Sequence, residues 1–175
     1  DNFIKNFLAC VSVLFALNLD FNRLKTKFTH FSFPNGRGDI QIVKKFKKRF
    51  KFIDESYNAN PLSMNSAINN MKHYNKINNA KKLVLLGDML ELGHMSKKFH
   101  KKLSKIINKS DIDKVFVYGK YIKTTFNGLS KNKKGKVFNN LGEAYDYFSK
   151  ILNNNDVLMV KGSNATGLNQ FSKNI

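Results

Sequence analysis

Short apolar runs that alternate with helix-like segments constrain the fold of this 175-residue chain more than any other feature. Each run is followed at once by a glycine or a polar residue. The apolar runs lie at residues 83–86, 114–118, 137–138 and 157–160, and the helix-like segments at 62–77, 94–108, 121–129, 142–152 and from 168. Short apolar strands separated by helices form a mostly parallel sheet that is covered on both faces. The sequence therefore predicts an α/β fold with a Rossmann-like sheet.

The first part of the chain has a different pattern. Two helix-like segments, residues 2–17 and 21–28, precede a break at residues 34–38, where we place a domain boundary between 35 and 36. A hairpin is predicted next, with strands at 39–46 and 50–54 and a turn at Lys47-Lys48. The apolar run 7–17 predicts a buried helix, in which Cys10 is a small buried hydrophobe. A single cysteine excludes an internal disulfide and fits a reducing cytoplasm.

The net charge of +19, from 31 Lys+Arg against 12 Asp+Glu, raises the possibility of nucleic-acid binding. However, the lysines are spread along the whole chain, and arginine, which suits bidentate phosphate and base contacts, is scarce. We therefore favour a general compositional bias and expect nucleic acid not to be a partner. We also expect no membrane insertion, because run 7–17 is shorter than the roughly 20 apolar residues of a spanning helix.

Three of the predicted strand ends carry residues that suit a ligand site. Residues 54–61, with the sequence DESYNANP, join the hairpin to a helix that Pro61 starts. Residues 87–88 (GD) and 161–164 (KGSN) follow two other strands. The carboxyl ends of parallel strands share one edge of the sheet, where ligands bind. Carboxylates followed by carboxamides suit ribose hydroxyls and a purine edge, although each loop alone could be an ordinary turn.

Other candidate groups are fewer. Arg37 lies in a glycine-flanked connection beside the boundary, from which a guanidinium could reach a ligand; it could equally be a solvated linker charge. The four histidines lack the i, i+4 spacing of a helical metal pair, so we expect them to be structural or exposed.

No G-x-x-x-x-G-K-[ST] loop occurs in the sequence, so the chain carries no P-loop for a triphosphate.

Taken in order, these segments resemble the Mur ligases, in particular those that add D-alanyl-D-alanine to the peptidoglycan precursor. The resemblance lies in residues 36–38 (GRG), 53–64, 86–93 (LGDMLELG) and 160–164 (VKGSN). The pair Asp54-Glu55 stands where Asp-Asp is the commoner form. The helix bearing Asn2 and Asn6 is similar to one near the end of the central ATPase domain of these enzymes. The resemblance implies that residues 1–35 are a remnant of that domain and that 36–175 are the C-terminal domain.

The resemblance also implies an activity. It is the ATP-dependent joining of D-alanyl-D-alanine to UDP-N-acetylmuramoyl-tripeptide through an acyl phosphate. Because the chain begins with Asp1 rather than Met and has no P-loop, we expect it to be a piece of such an enzyme, inactive alone and without catalytic residues of its own. The phosphate and Mg²⁺ ligands are then expected in the upstream Mur ligase domains.

Two groups of site residues follow from the resemblance, by position. On the nucleotide side, contacts with the ribose or adenine of ATP are implied for Arg37, Asp54, Glu55, Asn58 and Asn60, with the contacting carboxylate left open. On the D-alanyl-D-alanine side, the implied residues are Gly87, Asp88, Lys161, Gly162, Ser163 and Asn164. Two alternatives stay open at this point: a related Mur or folylpolyglutamate-type ligase domain, and a basic nucleic-acid-binding module.

Overall fold

The computed structural model describes residues 2–28 and 36–175, in two compact units that comprise residues 1–33 and 34–175. The first unit contains α1 (Asn2–Ala16) and α2 (Phe21–Phe28), both close to their predicted bounds. Part of the predicted break, Pro34 and Asn35, and one histidine, His30, lie outside the described residues.

The prediction that α1 is buried is wrong. Leu8 and Val13 are 56% exposed, Phe15 is 67% exposed, and Cys10 is exposed as well. Apolar residues occur around the whole circumference of α1, and the described part of its unit offers only the short α2 as a neighbour. Most of that circumference therefore has nothing to pack against within the unit. Among the residues described, no helix combines the length and apolarity needed to cross a membrane.

The second unit is built on one six-stranded sheet. Its strands are β1 (Asp39–Lys45), β2 (Lys48–Glu55), β3 (Lys82–Gly87), β4 (Lys114–Tyr118), β5 (Lys134–Phe138) and β6 (Val157–Lys161). The order across the sheet is β1-β2-β6-β3-β4-β5, and only β1 is antiparallel to its neighbour. This confirms the mostly parallel sheet. The hairpin turn falls at Phe46-Lys47, one residue before the predicted turn, and both residues have positive φ, as a tight hairpin turn requires.

Five helices follow the hairpin: α3 (Pro61–Asn70), α4 (Ser96–Lys109), α5 (Ile122–Asn127), α6 (Leu141–Ile151) and α7 (Leu168–Lys173). Only α3 departs clearly from its prediction, because it ends at Asn70 and gives way to a 3₁₀ turn, Met71–His73, instead of continuing to residue 77. The polar stretch 75–79 contains one apolar side chain, Ile77, which is 58% exposed. A longer helix would therefore have buried nothing.

The strands alternate their side chains between two hydrophobic cores. Val84 and Met159 point to one face, where α3, α4 and α5 pack, and Leu85 and Leu158 point to the other, under α6 and α7. Such alternation is the period-2 geometry of a strand. Helices on both faces confirm the predicted α/β class.

An ion pair and a hydrogen bond hold Asp113 beside the amino ends of β3 and β4. Asp113 accepts hydrogen bonds from Lys76 Nζ and from the backbone N–H of Lys82, both at 2.7 Å. Partial burial opposes the ionisation of Asp113, but these hydrogen bonds outweigh it and hold the pKa of its carboxyl below the usual value.

This lowered pKa predicts a pH-dependent stability. Because the folded-state pKa of Asp113 lies below its unfolded value of about 3.9, the stabilisation is complete above that value and is lost as the pH falls through the folded pKa. We expect Asp113→Asn to cost about 1 kcal/mol at pH 7, with a smaller cost near pH 3. Urea denaturation at a series of pH values measures this. The exposed Asp146→Asn serves as the control, and a cost of Asp113→Asn that is constant with pH would contradict the prediction.

Candidate functional site at the carboxyl edge of the sheet

The three loops singled out in the sequence lie next to one another. Strands β2, β6 and β3 are consecutive across the sheet, and Lys161 is in register with Glu55 on one side and Leu86 on the other. The loops that follow these strands therefore leave the sheet at the same edge. This is where open parallel sheets hold their ligands.

The connection that bears Arg37 packs on the loop after β2. The carbonyl oxygen of Gly36 accepts a hydrogen bond from Tyr57 N at 3.1 Å, and Gly38 N donates to the Asp54 carbonyl at 2.8 Å. Gly36 has a φ of +77°, and a Cβ there would lie 2.9 Å from Tyr57 N, so the close approach requires glycine. The guanidinium carbon of Arg37 lies 4.3 Å from the centre of the Tyr57 ring. Both side chains are exposed, and they form a flat cationic and aromatic surface that the sequence analysis did not predict.

The two adjacent carboxylates differ in their surroundings. As consecutive residues of β2, Asp54 and Glu55 point to opposite faces of the sheet. Glu55 Oε2 pairs with Lys161 Nζ at 3.0 Å, and Lys161, only 1% exposed, also donates to the Asn58 carbonyl at 3.0 Å. Asp54 Oδ1 accepts from Ser56 N at 3.0 Å, and its Oδ2 makes no hydrogen bond within the described part of the chain. Glu55 Oε1 likewise makes no hydrogen bond among the described residues, so each carboxylate has one oxygen that could accept from a ligand, and the two differ in that Glu55 is paired with the Lys161 charge.

The two asparagines of this loop also differ. Asn60 is the N-cap of α3: its Oδ1 accepts from Ser63 N at 2.8 Å, and Ser63 Oγ accepts from Asn60 N at 3.0 Å. This reciprocal capping box, with Pro61 in the first turn, accounts for the Asn60 oxygen without a ligand. The side chain of Asn58 is exposed and forms no hydrogen bond among the residues described.

Gly87, the last residue of β3, lies beside Gly162, which directly follows the neighbouring strand β6. A Cβ on either residue would come within 2.7 Å of Leu168 Cδ1 and close to Thr166 Oγ1. The absence of side chains at these two positions therefore makes room for the segment that leads into α7. Both glycines have a packing role that is independent of any ligand.

Asp88 joins two loops through its buried carboxylate. The residue is 6% exposed, and its two oxygens accept hydrogen bonds from Lys120 N at 2.9 Å and from Ile122 N at 2.7 Å. The loop after β3 is thereby fixed to the loop after β4. Gly119 lies so close that a Cβ would be 2.6 Å from the Asp88 carboxylate.

Ser163 connects the other loops. Its Oγ accepts from Leu90 N at 3.0 Å and donates to the Ala59 carbonyl at 3.3 Å, while its backbone N–H donates to the Asp88 carbonyl at 3.0 Å. The loops after β2, β3 and β6 are therefore held together by one side chain and its amide. Asn164 is exposed beside them, and its Oδ1 accepts from Asn169 at 2.8 Å.

A buried histidine supports the loop after β3. His100 is fully buried in α4; its Nε2 accepts from Met89 N at 3.1 Å, and its Nδ1 lies 2.8 Å from the Ser96 carbonyl. These partners assign a neutral ring with the proton on Nδ1. Since His73 and His94 are exposed, the three histidines that the structure describes match the expected structural or exposed roles. The support that His100 gives to this loop had no signal in the sequence.

A cavity of about 430 Å³ opens beside this region, at the ends of β3, β4 and β5. Its walls include Lys120, Lys123 and Asn139, together with Tyr118 and Phe138. Sequence reasoning missed these residues because the loops after β4 and β5 match none of the motifs. The only available signal was their position after predicted strands.

Within residues 2–28 and 36–175, no group of three or more His, Cys, Asp or Glu side chains could hold a metal ion.

Residues 40–164 match the family described as Mur ligase, glutamate ligase domain. The chain belongs to this Mur ligase family. Among its relatives, the UDP-N-acetylmuramoyl-tripeptide--D-alanyl-D-alanine ligase of Rickettsia prowazekii is 25% identical over 97% of this chain and 36% of that protein. The protein of the same name from Bacillus subtilis is 32% identical over 70% of this chain and 27% of that protein.

A solved structure extends the likeness to the fold of this Mur ligase domain. The crystal structure of MurF ligase from Thermotoga maritima in complex with ADP superposes with a TM-score of 0.75 at 22% identity, over 97% of this chain and 36% of that one. The chain thus spans about a third of the length of the proteins that it matches.

Proposed function

We propose that this Mur ligase chain is the C-terminal portion of an ATP-dependent ligase that joins D-alanyl-D-alanine to UDP-N-acetylmuramoyl-tripeptide in peptidoglycan biosynthesis, in the cytoplasm. The observation that carries the proposal is the match of nearly the whole chain to a relative with that name. Residues 1–35 then belong to the central ATP-binding domain and residues 36–175 form the C-terminal domain. The upstream Mur ligase domains are its partners.

The proposed reaction has two steps. The γ-phosphoryl group of ATP passes to the terminal carboxylate of the tripeptide, which gives an acyl phosphate and ADP. The amine of D-alanyl-D-alanine then attacks the acyl carbon, and the tetrahedral intermediate releases phosphate and a proton as the amide forms. Catalysis of this kind relies on positioning and electrostatic stabilisation. We assign the phosphate and Mg²⁺ ligands to the upstream domains.

The residues of this chain fit the nucleoside end of ATP. Asp54 has a free carboxylate oxygen for a ribose hydroxyl, and the exposed surface of Arg37 and Tyr57 suits the flat, electron-rich face of a purine. Asn58 offers an unbonded carboxamide on the same loop. Glu55 and Asn60 support this surface, through Lys161 and through the start of α3.

The proposal is tested by incubating the complete protein with ATP, UDP-N-acetylmuramoyl-tripeptide and D-alanyl-D-alanine. We expect ADP and the pentapeptide product to appear in equal amounts, and we expect neither from the 175-residue chain alone. If the complete protein forms no such product, the proposed function is wrong.

In the complete protein, Arg37→Ala should raise the KM for ATP about tenfold, because a charged contact worth roughly 1.5 kcal/mol is lost. The KM for D-alanyl-D-alanine should change less than twofold. Steady-state kinetics with each substrate varied in turn measure both values. Arg49→Ala is the matched control, since Arg49 is an exposed residue near the opposite end of β2. An unchanged KM for ATP would remove Arg37 from the site.

A further inference from the structure

The cavity at the ends of β3, β4 and β5 carries a positive charge. Lys120 and Lys123 both line it, and neither has a carboxylate partner among the residues that the structure describes. The one acidic residue in its wall, Asp88, uses both carboxylate oxygens to accept hydrogen bonds from backbone N–H groups. The cavity therefore presents two cations and no carboxylate oxygen free of a protein donor, so it favours an anion.

The remaining walls limit the kind of anion. Tyr118, Phe138, Leu90 and Ala165 provide apolar surface, and the exposed carboxamide of Asn139 makes no hydrogen bond within the described ranges. A volume of about 430 Å³ lies at the lower end of the usual range for small-molecule pockets. A small ligand with methyl groups, a peptide bond and one negative charge matches these walls better than a bare inorganic anion does.

The cavity also adjoins the loops that leave the carboxyl edge of the sheet. Its wall includes Asp88 and Thr166, which belong to the loops after β3 and β6. Thr166 Oγ1 donates to the Ser163 carbonyl at 2.6 Å, and Ser163 is itself bonded to Leu90 and Ala59. The cavity thus borders the shared edge of the sheet, and a ligand held at Lys120 and Lys123 could extend towards that edge.

We propose that this cavity binds the terminal carboxylate of the dipeptide acceptor, with Lys120 and Lys123 as its cationic partners and Asn139 as a donor to the carboxylate or the peptide bond. The inference rests on the proposed function for the identity of the acceptor. It adds specificity-determining residues from the loops after β4 and β5, where the sequence carries no motif. In this arrangement the carboxylate lies in the cavity, and the amine faces the sheet edge.

In the first test, D-alanyl-D-alanine is added to the 175-residue chain, and its binding is monitored by ¹⁵N NMR. We expect the amides of Gly119, Lys120 and Asn139 to shift, and the apparent Kd to rise about tenfold in Lys120→Met and in Lys123→Met through loss of a charge-assisted hydrogen bond. Lys105→Met, an exposed lysine of α4 outside the cavity, should bind as the unaltered chain does.

Ligand variants separate the possible sources of the anion. The dipeptide amide, which lacks the carboxylate, should bind about tenfold more weakly to the unaltered chain and should lose little more in Lys123→Met. Acetate and inorganic phosphate should not reproduce the shifts at the same concentration. Equal shifts from phosphate, or no shifts at these amides with the dipeptide, would overturn the proposal.

The second test uses the complete ligase and keeps the two proposals distinguishable. We expect Lys120→Met and Lys123→Met each to raise the KM for D-alanyl-D-alanine about tenfold, with the KM for ATP within twofold. Normal ligation with an unchanged acceptor KM would overturn the cavity assignment and leave the proposed function intact. Dipeptide binding in the cavity without ligation by the complete protein would overturn the proposed function and support the cavity assignment.

Discussion

Replacing Glu55 by alanine should lower the free energy of unfolding by about 3 kcal/mol. The reason is that Lys161, which is 1% exposed, loses the carboxylate that it contacts at 3.0 Å in the interior. Among the residues that the structure describes, the Asn58 carbonyl, also 3.0 Å from Lys161 Nζ, is then the one acceptor left for its three donor hydrogens. Because the Glu55 side chain is 28% exposed, water can reach part of the gap, and we expect a value at the lower end of those for broken buried pairs. Urea denaturation of the 175-residue chain measures this cost.

Three further variants, Lys161→Met, Glu55→Gln and the double variant Glu55→Ala/Lys161→Met, show whether the loss of the partner of Lys161 is the cause. Lys161→Met keeps the volume of the side chain and removes the charge, so it should lower the free energy of unfolding less than Glu55→Ala does. When it is added to Glu55→Ala, the double variant should regain most of the lost stability. Glu55→Gln keeps a hydrogen-bond acceptor for Lys161, so its free energy of unfolding should lie between those of the wild type and Glu55→Ala. A double variant no more stable than Glu55→Ala would show that the lost stability has another origin.

The second large effect is expected for Asp88→Ala, which should cost about 3 kcal/mol because the buried N–H of Ile122 and the partly buried N–H of Lys120 both lose their acceptors. Asp88→Asn keeps one acceptor oxygen and should cost about half as much. Thermal or urea unfolding provides the stability, and the amide shifts of Lys120 and Ile122 show directly whether their hydrogen bonds are lost.

This comparison also separates two roles of Asp88. If the Asp88 carboxylate stabilises the fold, as its hydrogen bonds indicate, Asp88→Ala should lower the free energy of unfolding and weaken the binding of D-alanyl-D-alanine together. A stable Asp88→Ala chain that had lost only acceptor binding would instead make Asp88 a direct ligand of the substrate.

The class of the fold could be predicted because its signal is local. Strands such as 83–86 are apolar at every position, and each is followed by a segment of helical period, so the sheet follows from burial on both faces. The burial of α1 could not be predicted in this way. An apolar helix indicates only that the side chains suit a core, and which surfaces surround it depends on contacts distant in sequence.

The location of the candidate site was predicted more accurately than the contacts that its residues make. Glycine and carboxylate motifs located the edge, but the sequence could not show that Glu55 is paired with Lys161 or that Leu168 fills the space over Gly87 and Gly162. These contacts join residues up to 106 positions apart. Long-range pairings of this kind leave no periodic or compositional trace.

The bonds of Ser163 have a consequence for how such a site can change. Since Ser163 joins the loops after β2, β3 and β6, we expect the parts of the edge that we propose to face the nucleotide and the acceptor dipeptide to move together. Under the proposed function, a mutation that displaces one of these loops should weaken the binding of both substrates. Lys120 is tied to these loops through Asp88, whereas Lys123 and Asn139 project from backbone that neither Ser163 nor Asp88 bonds. Under the proposed function, Lys123 and Asn139 are therefore the positions at which the preference for the acceptor dipeptide can change while nucleotide binding is preserved.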